Sequence, residues 1–241
     1  MANYRSEFIS IDRLGPALKR ELEDLYLAHY EASSPGVFQA DLARKDEVLV
    51  IRHQSKVIGF SSLAYHRLPW AGRDLRIIFS GDTIVQPEHW GQMALTTSWL
   101  AHMGSLARSE PESPMYWLLI VKGHRTFRYL PAYLLHFFPH WEREEPDLAH
   151  LAHHLGRHFF QAAYDPRTGV AAWPESRGQL KPHLAEPDPD ELARPEVRYF
   201  LERNPGYRRG EEMLCLAPMN ADNLRPFGRR IFEKGEAKEL G

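Results

Sequence analysis

The alternation of apolar and polar residues along the first part of the chain predicts consecutive antiparallel strands. Glu47–Arg52 and Val57–Tyr65 are apolar runs separated by a short polar turn, a pattern that is typical of a β-hairpin. Asp74–Val85 follows as a third strand of the same meander, and Phe8–Ile11 predicts a short strand near the start of the chain. The pattern therefore predicts one early strand followed by a three-stranded meander.

Apolar residues at helical spacing predict helices before and after these strands. Leucines at three- and four-residue intervals mark Gly15–Tyr30, and an apolar stripe marks Gly91–Leu106. Met115–Lys122 is the most apolar strand candidate, and we expect it at the centre of the sheet because both of its faces are apolar. Arg125–Phe138 is rich in aromatic residues and interrupted by Pro131, which predicts a short helix or two helical turns.

The composition changes after residue 141. Asp147–Gln161 is predicted to be helical, whereas Tyr164–Pro195 is rich in proline, glycine and charge and predicts a partly irregular excursion or cap. A regular pattern returns with a helix at Pro195–Arg203, a strand at Glu212–Ala217 and a last helix near Asn220–Phe232. The second half of the chain therefore predicts more helix and less sheet than the first.

This order of elements predicts an α+β fold, with a mixed, mainly antiparallel central sheet flanked by helices and a C-terminal extension. We divide the chain into a core at residues 1–141, a helical and irregular excursion at 142–194, and a segment at 195–241 that completes the core with a closing strand. The excursion is expected to cap an acceptor site or to form a dimer contact.

Composition and charge exclude several classes of function. Lysine and arginine number 30 against 32 acidic residues, so net charge recruits neither nucleic acid nor an anionic membrane. No stretch approaches the roughly 18 apolar residues of a membrane span, and the N-terminus has no apolar signal region, so we expect a cytoplasmic protein. Cys215 is the only cysteine and lies in an apolar run, which indicates a buried thiol and not a nucleophile.

The junction between the third meander strand and the next helix is the strongest candidate for a ligand site. The stretch Leu75–Leu106 passes from an apolar strand through a sharp turn into a helix. The first amides of a helix have no intrahelical partner, and the helix dipole favours negative charge there. Such a junction binds phosphate in many proteins, although a strand, turn and helix without any ligand is the alternative interpretation.

Two segments of this region resemble the GNAT superfamily of acyltransferases. Val57–Leu63 (VIGFSSL) is similar to the third strand of that family, and Ser80–Leu95 (SGDTIVQPEHWGQMAL) to its fourth strand and acyl-CoA loop. The resemblance implies acyl transfer from acetyl-CoA or another acyl-CoA to an amine, by direct attack in a ternary complex and without a metal. It also implies that pantetheine lies between the strands at Arg76–Val85 and Met115–Val121.

The loop departs from the family pattern at its small positions, where Met93 and Leu95 stand, and at its first position, where Trp90 stands. Glycine at such positions lets the backbone approach phosphate closely, so bulky residues imply a looser or differently angled loop. The cofactor-binding residues that the resemblance implies, together with one arginine after the fifth strand, are Ile84, Val85, Gly91, Gln92, Met93, Ala94, Leu95 and Arg125.

Acyl transfer to an amine needs a base and an acid, and the resemblance places these on the fourth strand and after the fifth. Asp82 is the candidate base because its strand is otherwise apolar and desolvation raises the pKa of a carboxylate. The alternative is that Asp82 follows Gly81 in a bulge and bonds backbone amides there. His89 is a second candidate base, whereas the adjacent Glu88 is better explained as a charge at the start of a helix.

Tyr129 is the candidate acid, although a tyrosine in so aromatic a segment is also explained as a core residue whose hydroxyl is satisfied. The basic residues near it either pair with a phosphate or anionic acceptor or form solvated surface; they are Lys122, His124, Arg125 and Arg128. A run of histidines at His150–His158 could chelate zinc from one helix face, but a polar helix face is the better interpretation because no HExxH pattern is present.

The sequence therefore predicts an acyl-CoA N-acyltransferase that acts on a small-molecule or peptide amine, without nucleic acid or membrane partners. It leaves open whether the chain forms a homodimer. A non-catalytic module that uses the same cleft for binding is the first alternative, because Met93 and Leu95 weaken the loop pattern. An enzyme that uses longer acyl-CoA or an acyl-carrier protein is the second. Its acyl pocket would be lined by the aromatic residues of Tyr116–Trp117 and Phe127–Phe138.

Overall fold

The structure is a computed structural model that describes residues 4–237. The strands are β1 (Tyr4–Ser10), β2 (Tyr30–Glu31), β3 (Glu47–His53), β4 (Lys56–Trp70), β5 (Arg73–Val85), β6 (Met115–Val121), β7 (Tyr164–Asp165), β8 (Val170–Ala171), β9 (Gln179–Leu180) and β10 (Glu212–Pro218). The helices are α1 (Pro16–His29), α2 (Pro35–Leu42), α3 (Ala94–Ser109), α4 (His124–Phe127), α5 (Tyr129–Tyr133), α6 (Pro146–Phe160), α7 (Pro182–Ala185), α8 (Pro189–Leu192), α9 (Pro195–Arg203) and α10 (Pro226–Ala237).

These elements belong to two compact units. The first unit comprises residues 4–28, 35–117 and 218–237 of the described chain, and the second comprises residues 29–34 and 118–217. The predicted three-part division at residues 141 and 194 stays a prediction, and its outermost residues, 1–3 and 238–241, lie outside the described residues.

The first unit is built on a sheet whose strands follow the order β1-β3-β4-β5 and continue to the start of β6. The pairs β3–β4 and β4–β5 are antiparallel, as the hairpin and meander pattern predicted, and β1 also pairs with β3 in the antiparallel sense. Residues Val48–Ile51 of β3 are fully buried, since this strand lies inside the sheet and helices cover it. The predicted α+β fold, with a mainly antiparallel sheet flanked by helices, is confirmed.

Two helices of the first unit, α3 and α10, approach each other unusually closely. A Cβ at Gly104 of α3 would lie 2.0 Å from the carbonyl oxygen of Phe232, and a Cβ at Gly235 of α10 would lie 1.9 Å from that of Ala101. Any larger residue at either position would push one helix backbone away from the other. Glycine therefore sets the distance between these helices.

In the second unit the strand order is β6-β10-β8-β7, and the pairs β10–β8 and β8–β7 are antiparallel. β2 and β9 form a separate antiparallel pair. Helix α6 packs its glycine, Gly156, against a buried tyrosine, because a Cβ there would lie 2.4 Å from the Tyr164 ring. The glycine that lowers the helical propensity of this segment is thus explained by packing.

Most predicted elements are found within a few residues of their expected ends, and the aromatic segment forms two short helices, α4 and α5, as expected. Helix α2, at residues 35–42, was not predicted from the sequence. The predicted excursion after residue 164 contains only short strands and helices, in addition to turns. Within residues 4–237, no helix combines the length and the apolar character that crossing a membrane requires.

Candidate functional site

A β-bulge interrupts the pairing of β4 with β5 near the end of β5. The register shifts at Ser62, so that this one residue of β4 faces both Gly81 and Asp82 of β5. Two residues opposite one define a bulge, which bends the strand and redirects its side chains. The bulge that was considered as the alternative explanation for Asp82 is therefore present.

Asp82, the candidate base, lies in this bulge and is half-buried. On the preceding pair of the ladder, Ser61 Oγ and Thr83 Oγ1 lie 2.8 Å apart in a hydrogen bond between the two strands. The bulge at Asp82 thus adjoins this pair in the ladder. The role of Asp82 as a base stays a prediction.

The strand continues from the bulge directly into a turn. Residues Pro87–His89 form a single turn of 3-10 helix, and Gly91 follows with a φ of 86°. Nothing lies within 4 Å of the position that a Cβ on Gly91 would occupy. Glycine is therefore needed here for its backbone conformation and not for space. Helix α3 begins three residues later, at Ala94.

The amides at the start of α3 are partly used within the chain. The N–H of Gln92 donates to the carbonyl oxygen of His89 at 3.3 Å. The N–H of Ala94, the first residue of α3, donates to the side-chain Oε1 of Gln92 at 2.6 Å, so this glutamine satisfies one free amide at the helix start. A pyrophosphate bound at these amides would have to displace the Gln92 side chain. Binding by Gln92, Met93, Ala94 and Leu95 stays a prediction.

The bulky side chains of this loop have different environments. Leu95 is buried, so its side chain belongs to the core. Met93 is 39% exposed and Trp90 is 47% exposed, and the indole Nε1 of Trp90 donates to the carbonyl oxygen of Val85 at 2.8 Å. Ile84 is buried beside Val85 at the end of β5. The loop is thus fixed by a side chain at the position where the family pattern has arginine or glutamine.

His89, the second candidate base, belongs to an aromatic cluster with residues of β1 and β3. Its Nδ1 lies 3.0 Å from Tyr4 Oη in a hydrogen bond, and its ring centroid lies 5.0 Å from that of His53. These contacts give His89 a structural explanation. Its role in catalysis remains a prediction.

Tyr129, the candidate acid, is the first residue of α5 in the second unit. Its ring stacks with that of Tyr133 at a centroid distance of 6.2 Å. Burial raises the pKa of the Tyr129 phenol, so the side chain holds its proton throughout the neutral range. A protonated phenol is the form that an acid requires.

The basic cluster after β6 is neutralised inside the second unit. Each of its side chains has an acidic partner, in the pairs Lys122–Glu212, His124–Glu191, Arg125–Glu191 and Arg128–Glu191. Arg125 donates from Nη2 to Glu191 Oε2 at 2.7 Å and from Nη1 to the carbonyl oxygen of Leu184 at 2.6 Å. A phosphate would therefore compete with existing partners of Arg125.

His124 is almost fully buried in this network. Its Nε2 lies 3.1 Å from Glu191 Oε2, but without the angles of a hydrogen bond. Burial, reinforced by the neighbouring charge of Arg125, lowers the pKa of His124. The histidine therefore contributes an uncharged ring to the network near neutral pH, and the arginines carry its positive charge.

The histidines of α6 do not gather around one point. His153 Nδ1 lies 2.7 Å from Tyr164 Oη, whereas the rings of His154 and His158 are 6.4 Å apart. Across residues 4–237, no group of three or more histidine, cysteine, aspartate or glutamate side chains is arranged to hold a metal ion. The tyrosine contact explains one of these histidines without a ligand.

One polar cluster was missed by the sequence analysis. Glu47 of β3 accepts a hydrogen bond from Tyr65 Oη and lies 2.6 Å from His102 Nε2 of α3, and the ring of Phe8 stacks on His102 at 4.0 Å. Burial raises the pKa of Glu47, but the hydrogen bonds from His102 and Tyr65 outweigh it and hold the pKa below its usual value. No short-range pattern links these residues, since they come from four separate elements.

Comparison with solved structures finds proteins of similar fold. One is a conserved protein from Enterococcus faecalis described as a probable N-acyltransferase, with 13% identity, a TM-score of 0.39, and coverage of 53% of this chain and 31% of that one. A second is a GCN5-related N-acetyltransferase from Kribbella flavida, with 15% identity, a TM-score of 0.38, and coverage of 53% and 32%. A third is a GNAT-family N-acetyltransferase from Escherichia coli in complex with CoA, with 15% identity, a TM-score of 0.36, and coverage of 55% and 68%.

The chain thus spans about a third of the length of the first two of these proteins. No protein-family model and no curated protein matches the sequence. Because all three TM-scores are below 0.5, the activity has to be argued from the residues of the chain itself.

Proposed function

We propose that this chain transfers an acyl group from coenzyme A to an amine. One observation carries the proposal: within the first unit, the bulge at Gly81–Asp82 lies near the end of β5, and this strand leads directly into the turn before α3. A bulge interrupts the ladder, and the start of a helix presents amides to an anion. The two features together suit a ligand with a carbonyl group at one end and a pyrophosphate at the other.

The reaction is a direct displacement. The lone pair of the acceptor nitrogen forms a bond to the thioester carbonyl carbon, and negative charge develops on the carbonyl oxygen. When the C=O bond reforms, the C–S bond breaks and the thiolate leaves with coenzyme A. Asp82 takes the proton that the amine loses and passes it to solvent, and the thiolate takes up a proton as coenzyme A leaves. The products are an amide and free coenzyme A, and no further reactant is consumed.

A second candidate function is a binding module without turnover. The bond between Ala94 N–H and Gln92 Oε1 supports it, because the helix start then already has an acceptor in place of a phosphate. This candidate predicts that acyl-CoA binds without formation of amide. The same experiment therefore decides between the two functions.

The test measures binding and turnover on one preparation. Calorimetry follows acetyl-CoA, longer acyl-CoAs and free CoA, and a thiol reagent follows release of CoA with spermidine, lysine or an alanine-terminated peptide as acceptor. Cys215 gives little background, since its thiol is fully buried and burial raises its pKa. Binding with amide formation supports the enzyme, binding alone supports the module, and no binding of any of these ligands contradicts both.

Asp82→Asn tests the assigned role. The variant should keep its affinity for acetyl-CoA while the turnover number falls by about 10²- to 10⁴-fold, the usual contribution of a positioned acid or base. His89→Gln is the matched comparison, because His89 already has a structural explanation in its bond to Tyr4. A larger loss of turnover in His89→Gln than in Asp82→Asn would move the base to His89.

A further inference from the structure

A buried lysine lies between α2 and β3 in the first unit. The side chain of Lys45 is only 2% exposed, and its Nζ lies 2.5 Å from Asp41 Oδ2 and 3.2 Å from the Asp41 carbonyl oxygen. Lysine is almost never buried without a partner, and the end of a helix favours a positive charge. The ammonium group is therefore fixed at the end of α2 by a carboxylate and a carbonyl of the same residue.

The same lysine reaches the bulge of β5. The position that a Cβ on Gly81 would occupy lies 2.5 Å from Lys45 Cε and 3.3 Å from Lys45 Nζ. Any side chain at residue 81 would collide with this lysine. Glycine at the bulge thus admits the lysine, and the positive charge lies beside the backbone of residue 81.

A hydroxyl group completes this arrangement on the opposite strand. Ser62 Oγ lies 2.6 Å from the same Cβ position on Gly81 and is almost fully buried. Among residues 4–237, it has no hydrogen-bond partner. Together, Ser62 and Lys45 place two polar groups, both withdrawn from solvent, against one peptide of the bulge.

We propose that Lys45 is a positioning residue for acyl transfer, and that its buried ammonium polarises the backbone of the bulge at Gly81–Asp82. The inference rests on the proposed function for its catalytic consequence. The field of a buried charge is screened much less than that of a charge in water. A polarised bulge stabilises the negative charge that develops on the thioester oxygen. Lys45 acts through the backbone, since its own side chain is withdrawn from solvent.

Two single substitutions separate this effect from a structural one. Lys45→Met and Asp41→Asn both remove the same ion pair. Lys45→Met removes the positive charge beside the bulge, whereas Asp41→Asn keeps that charge and removes its negative partner. A purely structural role of the ion pair predicts that the Asp82 amide resonance and kcat each change in the same direction in both variants. A field at the bulge predicts changes in opposite directions.

The first readout needs no substrate. In the full chain labelled with ¹⁵N, the amide resonance of Asp82 should shift in opposite directions in the two variants relative to wild type. The second readout is turnover of acetyl-CoA with the amine that gives the highest wild-type rate. Lys45→Met should lower kcat by about tenfold, less than the loss of a direct oxyanion donor, with KM within about twofold. Asp41→Asn should keep or raise the wild-type kcat.

Shifts of the Asp82 amide in the same direction, or equal losses of kcat in both variants, would overturn the inference and leave an ordinary ion pair. If the wild type shows no turnover, the proposed function fails, whereas the amide shifts still decide whether Lys45 polarises the bulge. Lys45→Gln replaces Lys45→Met if the methionine variant does not fold. The same prediction of opposite shifts applies to it.

Discussion

Replacing Gln92 by alanine should weaken the fold and strengthen the binding of acetyl-CoA. In the structure Gln92 Oε1 accepts the Ala94 N–H at 2.6 Å and so occupies the start of α3. One hydrogen bond of this kind stabilises a protein by about 1 kcal/mol. If pyrophosphate binds at the same amides, the hydrogen bond to Gln92 must break on binding. The free energy of that bond then reduces the free energy gained when acetyl-CoA binds.

The same quantity should therefore appear in two measurements with opposite signs. Loss of about 1 kcal/mol lowers the melting temperature of a chain of this size by about 2–4 °C. The same 1 kcal/mol, returned to binding, tightens the dissociation constant of acetyl-CoA by about fivefold. Thermal unfolding without ligand gives the first number, and calorimetry with acetyl-CoA gives the second.

Gln92→Glu is the matched control, because it keeps an acceptor oxygen at the helix start and adds a negative charge. The negative charge interacts favourably with the dipole at the start of the helix, so the melting temperature should stay the same or rise. The same charge repels pyrophosphate and so weakens its binding. If Gln92→Ala lowers the melting temperature and also weakens acetyl-CoA binding, the pyrophosphate does not compete with Gln92, and the assignment of these amides is wrong.

Two further predictions concern the first unit. Gly104→Ala should lower the free energy of unfolding by about 1–3 kcal/mol, because its Cβ would meet the Phe232 carbonyl oxygen, whereas Gly15→Ala, with nothing within 4 Å, should change it little; chemical denaturation compares them. The pKa of Glu47 is lower in the folded chain, so its stabilising contribution is present above the unfolded pKa and is lost as pH falls through the folded one. Unfolding of Glu47→Gln should therefore depend less on pH below about 4.5 than that of wild type, and an equal pH dependence would refute the assignment.

The sequence predicts elements whose pattern is local and misses those that depend on distant partners. The meander and α3 follow from periodicity, and the bulge at Gly81–Asp82 was one of two interpretations of a glycine followed by an acid in an apolar strand. Helix α2 was missed because it is short and begins within a run of serine, proline and glycine, although proline at a first helical position is itself a helix signal.

The candidate site shows the same limit. The position of the strand, turn and helix could be predicted, but the hydrogen bond to Gln92 could not, since only the backbone path of the turn brings its side chain to Ala94. The partner of Arg125 is Glu191, which is 66 residues away in sequence, so the neutralised basic cluster carried no local signal. Lys45 was missed for the same reason, because its contact with Gly81 depends on the packing of α2 against the sheet.

Calorimetric titration of the wild-type chain with acetyl-CoA tests the central claim most directly. The proposed function predicts binding of one acetyl-CoA per chain, and it predicts that the heat of binding changes in Gln92→Ala, which alters the start of α3. Saturating ligand at a hundred times its dissociation constant should also add about 2.7 kcal/mol to the stability of the fold. Absence of binding and of any thermal shift with acetyl-CoA, longer acyl-CoAs and free CoA would contradict the account.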